Sequence, residues 1–421
     1  MAARGWRRKT PSERDLKAGT PSRCISRKGK YHEVWGQGPL EERMLNDRKA
    51  SATMLKGKKL GIERAAREFK PTIEAAKSKI GKEFIEWYPY DSLSSAEHIE
   101  ALLGDDYGYV VNSARTEGVL DLGCGDGDFS FFLESLGFKV TAIDYGPTNQ
   151  NGMRGLFALR DELSSNVTIE QLDVDNGSPI GGHFGLAFCL GVLYHLKNPF
   201  LVMSRLAQIS QYCILSTRTA KNLPGGIPLP SGQPLAYLVG EDELNSDDTN
   251  YWIFSEPALR RLLARTRWKV ITTMATGDVE KSDPVSADGR TFCLLESHYG
   301  LRHLELLEGW HHIEEPGWRW TERRFSARPR VLSQPASRVT LRFFISPASI
   351  RQLGDISISC TIGGASAGIT TLARAGQHTL VWDIPHRSEM PSVTFEVDKA
   401  LGAASGLSRE LGIVVDTLEF S

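Results

Sequence analysis

Apolar and polar positions along this chain follow two regimes. Between residues 119 and 297, short apolar runs recur at 119–122, 139–143, 167–172, 186–190, 213–217, 269–274 and 291–297. Segments with apolar residues every three or four positions separate them, for example 128–136 and 199–209. Continuous apolar strands alternating with amphipathic helices predict an α/β unit whose parallel sheet is covered on both faces. From about Gly309 the period shortens to two, with runs at 339–345, 356–362, 378–384, 393–397 and 411–420 broken by Gly and Pro. That pattern predicts a separate antiparallel β-sandwich over 301–421.

Two stretches fit neither regime. Residues 220–252 carry Pro224, Gly225, Gly226, Pro228, Pro230 and Pro234, and read as a lid or binding loop inserted in the α/β unit. Residues 1–45 show no period. Spaced apolar residues from 41 to 82 suggest one or two amphipathic helices, with Pro71 opening the second. An aromatic loop follows at Trp87, Tyr88 and Tyr90, and then a helix through 97–103. The division expected is a partly helical N-terminal arm over 1–83, the α/β domain over 84–300 and the β domain over 301–421.

Charge changes the picture at the N-terminus. The net charge is −1, yet residues 1–82 hold 22 Lys and Arg against 9 Asp and Glu, leaving 28 against 42 elsewhere. A basic arm on an acidic body suits RNA or an anionic surface, and a solvated tail is the plainer alternative. Aromatic residues are sparse there (Trp6, Tyr31 and Trp35), which disfavours stacking of single strands. No apolar run is long enough to span a membrane. Six cysteines without a C-x-x-C pair argue against a disulfide framework or structural zinc and favour a reducing, cytoplasmic setting.

The densest chemistry lies at Asp121-Leu122-Gly123-Cys124-Gly125-Asp126-Gly127, where an apolar strand runs into alternating glycines and at once into a helix. Such a turn lets a ligand approach the backbone without meeting a Cβ. Asp144 ends the second strand, where a carboxylate can hold ribose hydroxyls, and Asp173 and Val174 follow the third. Each acid alone could be a helix N-cap. The three together resemble the first motifs of class I S-adenosylmethionine-dependent methyltransferases. The resemblance implies a Rossmann-like seven-stranded methyltransferase sheet, S-adenosyl-L-methionine as cofactor, and Asp121, Gly123, Cys124, Gly125, Gly127, Asp144, Asp173, Val174 and Leu190 at its site.

The fourth strand leads into Leu190-Gly191-Val192-Leu193-Tyr194-His195, with Pro199 and Phe200 beyond. This segment is similar to the G-V-L-Y-H-x-x-x-P motif of the tRNA wobble-uridine carboxymethyl transferase family and its relatives. Residues 87–93, 147–155 and 245–254 look like a bacterial subgroup of those relatives. The resemblance makes His195 a candidate general base and Tyr194 a wall of the methyl path; a histidine here also serves structurally. It puts Asn149, Asn151, Arg154, Asp248, Asn250, Tyr251 and Trp252 over the crevice as candidate acceptor or cofactor contacts, with solvated turns as the plainer alternative. One departure is Phe184-Gly185, where most relatives carry an acid. A carboxylated cofactor would need an extra cation, for which Arg154 and Arg160 are the candidates.

The Trp-rich stretch at Trp310, Trp318 and Trp320, with the closing 409–415, resembles a β-sandwich module appended to bacterial glycosyltransferases. Those tryptophans either stack on sugar rings or form the module's core. His311, His312, Glu314 and Glu315 do not suit a metal site, because adjacent histidines on a strand face opposite sides. Three functions follow as expectations: O-methylation of a sugar hydroxyl in a bacterial glycan or its precursor, RNA modification through the basic arm, or a catalytically silent scaffold. The acceptor is therefore a small molecule or glycan, with RNA contact through 1–82 as the alternative.

Overall fold

The apolar runs of the first regime become β1 (Val119–Leu122), β2 (Val140–Asp144), β3 (Thr168–Gln171), β4 (Phe184–Leu190) and β5 (Ser210–Thr219). A computed structural model describes residues 61–421 apart from 82, 105–106, 246, 287, 315–317, 331–335, 389–390 and 403–408. The arm expected over 1–60 lies outside the described residues. The insertion contributes β6 (Asn222–Leu223), β7 (Ile227–Pro228), β8 (Ala236–Leu238) and β9 (Trp252–Phe254); β10 (Trp268–Gly277) and β11 (Gly289–Ser297) complete the unit. The sheet runs β10-β11-β5-β4-β1-β2-β3, with β8 and β9 added beside β5. Strands β1 to β5 pair in parallel, and β11 lies antiparallel to both β5 and β10. Chain order reverses between β1 and β4, so a crevice opens there at the carboxyl strand ends.

Eight described helices carry the labels α1 (Ile62–Ile80), α2 (Ser95–Leu103), α3 (Gly108–Glu117), α4 (Asp128–Ser135), α5 (Arg154–Leu163), α6 (Pro199–Ile209), α7 (Glu256–Arg265) and α8 (Pro347–Leu353). Alternation along the strands divides the core between two faces. Val119, Leu186 and Phe188 join Ile73, Ile99, Val110 and Phe132 on one side, under α1 to α5. Leu120, Ala187 and Cys189 join Met203, Leu206 and Leu263 on the other, under α6 and α7. Pro71 does not open a helix: it sits exposed inside the single helix α1. The buried residues Ala66, Ile73 and Ala76 lie on the opposite face, so the carbonyl that loses its partner faces solvent. Gly185 also finds its reason here, because a Cβ would come within 2.0 Å of the Ser113 carbonyl oxygen on α3.

The second regime forms β12 (Leu304–Glu314), β13 (Trp318–Pro329), β14 (Ala336–Ile345), β15 (Ile356–Ile362), β16 (Ala365–Leu372), β17 (Gly376–Ser388), β18 (Val393–Val397) and β19 (Val414–Phe420). They hydrogen-bond as one sheet in the order β16-β15-β18-β13-β19-β14-β17, with β12 on β13. Trp382 on β17 meets Phe395 on β18 at 5.4 Å between ring centroids, although three strands separate them in the sheet. The sheet therefore curls until its inner face encloses one core, with Phe325, Phe343 and Phe395 fully buried. Trp310 packs on that core, edge-on to Phe325 at 5.1 Å, and its indole N–H donates to the Ser326 carbonyl at 2.7 Å. Arg302 joins this region to the α/β unit by pairing with Glu117 at 3.4 Å, and Arg267 does so with Asp416 at 3.3 Å. Among the described residues no helix is long and apolar enough to cross a membrane, and no group of His, Cys, Asp and Glu could hold a metal ion. The five described cysteines are free and buried.

Candidate functional site

The glycine loop lies where β1 meets α4. Its backbone turns through positive φ at Gly123, Gly125 and Gly127, at 73°, 59° and 85°. A Cβ on Gly127 would meet Leu156 at 2.3 Å, so α5 packs directly on the turn. Asp121 is buried under this loop and accepts from the Ser130 hydroxyl at 2.6 Å. Burial pushes its carboxyl up to about 6, against the pull of Ser130. Asp121 thus ties β1 to α4. Cys124 is buried, and burial holds its thiol well above the usual range.

At the end of β2, Asp144 accepts from the backbone N–H of Gly125 at 2.7 Å and of Tyr145 at 2.7 Å. Burial raises its carboxyl, and those N–H groups oppose the rise. Each oxygen keeps lone-pair capacity for a further donor, which fits a ribose diol. The glycine loop lies beside it, its Gly125 N–H held by this carboxylate. Asn149 bridges the two: its amide donates to the Gly125 carbonyl at 3.3 Å, and its oxygen accepts from Met153 N–H at 2.8 Å. Asp173 caps the 3-10 turn Val174–Asn176, accepting from Asp175 N–H at 2.9 Å. Leu190 at the end of β4 and Val174 just past β3 are half-buried, with β1 and β2 between those two strands in the sheet.

Beyond β4, the 3-10 turn Leu193–His195 presents Tyr194 and His195 with ring centroids 4.3 Å apart. His195 Nδ1 lies 3.1 Å from the Thr249 carbonyl and 3.0 Å from the Thr249 hydroxyl. A carbonyl can only accept, so Nδ1 carries the proton and Nε2 the lone pair. The Thr249 hydroxyl donates to Asp247 at 2.5 Å. Burial lowers the His195 pKa, partly offset by Asp247. Tyr194 receives a 3.4 Å contact from Arg290, which also lies over its ring at 5.7 Å.

The remaining predicted contacts divide. Asn151 is buried, donating to Asp126 at 2.7 Å and to the Glu86 carbonyl at 3.1 Å while accepting from Gly155 N–H at 2.9 Å. Asn250 is buried too, donating to the Leu244 and Asp247 carbonyls. Both act as internal braces, with their amide N–H groups spent on these bonds. Arg154 is exposed and donates to the Asn151 carbonyl at 3.0 Å; Arg160 pairs with Asp161 at 2.9 Å. Asp248 is exposed. Tyr251 stays close, its N–H donating to the Tyr194 carbonyl at 2.8 Å. Trp252 lines an open cavity of about 450 Å³ with Lys197, Asn198, Pro199, Phe200 and Phe254. Arg290, Thr249 and Asp126 join the site without having been expected there, as does the Tyr88 ring of the aromatic loop, which lies 3.6 Å from where a side chain on Gly125 would begin. Arg290 and Thr249 belong to no compact motif, and only the fold brings them to the crevice.

Residues 91–273 match the family model of the methyltransferase domain. Among curated proteins, the tRNA U34 carboxymethyltransferase of Campylobacter hominis is 36% identical over 88 residues, 21% of this chain and 30% of that protein. The O-antigen chain terminator bifunctional methyltransferase/kinase WbdD of Escherichia coli is 31% identical over 107 residues, 24% of this chain and 15% of that protein. The chain thus spans less than a third of the length of either relative. Among solved structures, the N-terminal domain of EvdMO1 with SAH bound is 14% identical, with coverage of 55% of this chain and 96% of that one and a TM-score of 0.33. Magnesium protoporphyrin IX methyltransferase from Synechocystis PCC 6803 is 21% identical, with coverage of 45% and 76% and a TM-score of 0.30. Over residues 91–273 the chain is therefore similar to methyltransferase domains.

Proposed function

We propose that the chain O-methylates a sugar hydroxyl of a bacterial glycan or its precursor. One observation carries the reading: His195 Nδ1 lies 3.1 Å from the Thr249 carbonyl, which can only accept, so that Nε2 is left to act as the base. The cofactor, when bound, supplies an electrophilic methyl on a sulfonium. Asp144 and the glycine loop hold the ribose and nucleoside, and Asp173 stands near the base. His195 Nε2 takes the acceptor hydroxyl's proton, a service worth about 10²–10⁴ in rate. Orientation of the acceptor against the loop contributes the larger part, about 7–11 kcal/mol. Arg290 and Tyr194 supply donors for the acceptor's other oxygens, and Trp252 offers a flat apolar face for a sugar ring. The likeness to an O-antigen chain terminator bifunctional methyltransferase/kinase supports a glycan acceptor, as does the resemblance of the sequence around Trp310, Trp318 and Trp320 to a module appended to glycosyltransferases. In cells supplied with labelled methionine, label should enter the polysaccharide or lipid-linked sugar fraction, and His195→Ala should abolish it. Label that never enters any glycan fraction would overturn the proposal.

A second reading is RNA modification, supported by the likeness to a tRNA enzyme and by the excess of 22 basic over 9 acidic residues in 1–82. It requires binding of bulk tRNA whose affinity falls steeply with salt and disappears when residues 1–60 are deleted. Salt-insensitive or absent binding excludes it.

A further inference from the structure

Helix α1 precedes the family-matched segment, yet its last turn reaches the cofactor loop. Lys77 Nζ lies 2.7 Å from Asp128 Oδ2 and 4.0 Å from Asp126 Oδ2, and over the Trp87 ring at 5.3 Å. These two aspartates flank Gly127, where the loop becomes α4. Their side chains are only 2% and 13% exposed, and that of Lys77 only 18%. Asp126 has other partners in Tyr88 N–H at 2.6 Å and the Asn151 amide. Asp128 has fewer: its Oδ1 is buried without a hydrogen bond among the described residues. Burial raises the Asp128 carboxyl, and Lys77 is the chief group pulling it back down.

We propose that Lys77 is a positioning residue for the cofactor loop, which makes α1 part of the binding site rather than of a detached arm. Two carboxylates beside one turn, both largely out of water, repel each other unless a cation lies between them. With Lys77 in place they hold Gly125 and Gly127 at the angle that aims the Gly125 N–H at Asp144. Lys79 and Glu162, 2.6 Å apart, fasten the same helix to α5. This inference rests on the reading of the loop as the cofactor site.

The test uses the full chain as wild type, Lys77→Met, Lys77→Arg and the double variant Lys77→Met with Asp128→Asn. Amide hydrogen exchange is followed over residues 122–131, and S-adenosylhomocysteine is titrated by calorimetry. Lys77→Met should speed exchange in the loop by at least about tenfold and weaken ligand binding similarly, with exchange in β14 and β15 unchanged. The arginine and double variants should keep most of the wild-type protection and affinity. Unchanged loop exchange in Lys77→Met overturns the proposal, as does equal loss of protection in loop and C-terminal sheet. Wild type that binds no S-adenosylhomocysteine overturns the cofactor reading, whereas loop exchange alone decides whether Lys77 holds the loop.

Discussion

His195 is a half-buried imidazole whose one ring nitrogen meets a carbonyl that can only accept. That contact chooses the tautomer, and burial lowers the ring's pKa. Asp247 acts at one remove through Thr249, and its charge raises the His195 pKa toward the ordinary value. Asp247→Asn removes that contribution, so the acid limb of kcat/KM should move to lower pH. The plateau should fall several-fold, because the base becomes weaker. A limb that moves to higher pH, or does not move, contradicts this role. The sequence named His195 and Tyr194 because they stand in one contiguous motif. It could not name Thr249, which reaches His195 from 54 residues away, nor Arg290, which arrives on β11.

Strands in the α/β unit were legible because each is a continuous apolar run with a helix after it; β1 and α6 match their expected limits residue for residue. Strands of the C-terminal sheet were legible where apolar residues strictly alternate, as in β15. Three others escaped notice: β12 and β13 are interrupted by register shifts near Gly309, and β16 is exposed along most of its length and so lacks an apolar face. Asp173 shows a limit of another kind, for a strand-end acid can cap a turn and still border a ligand site. Pro71 departs from the expected first-turn position because its tolerance inside a helix depends on which face it occupies. Pro71→Ala should restore a hydrogen bond within α1 and stabilise the chain by about 1–3 kcal/mol. Urea denaturation should show a higher midpoint; a lower one would mean that α1 needs the proline to dock.

Across the whole molecule, the junction between the α/β unit and the C-terminal sheet gathers Arg302 and Arg330 around His183 and His303. Burial, and then Arg330 and Arg302, lower the pKa of His183 to about 4, and burial with Arg302 does the same at His303. Both folded values lie below the ordinary 6.5, so the unfolded chain binds more protons in that window. Stability should therefore be full above about pH 6.5 and decline as pH falls toward 4. Replacing both with Gln should flatten that decline in thermal melts, and an unchanged slope would exclude the junction as its source. The site at the sheet's switch point is a separate matter, and one titration bears on it most directly. S-adenosylhomocysteine should bind the full chain at one site, and Asp144→Asn should weaken it at least about tenfold, since hydrogen bonds to a charged group contribute about 1.5–3 kcal/mol each. A wild-type chain that fails to bind, or an Asp144→Asn chain that binds equally well, would contradict the account.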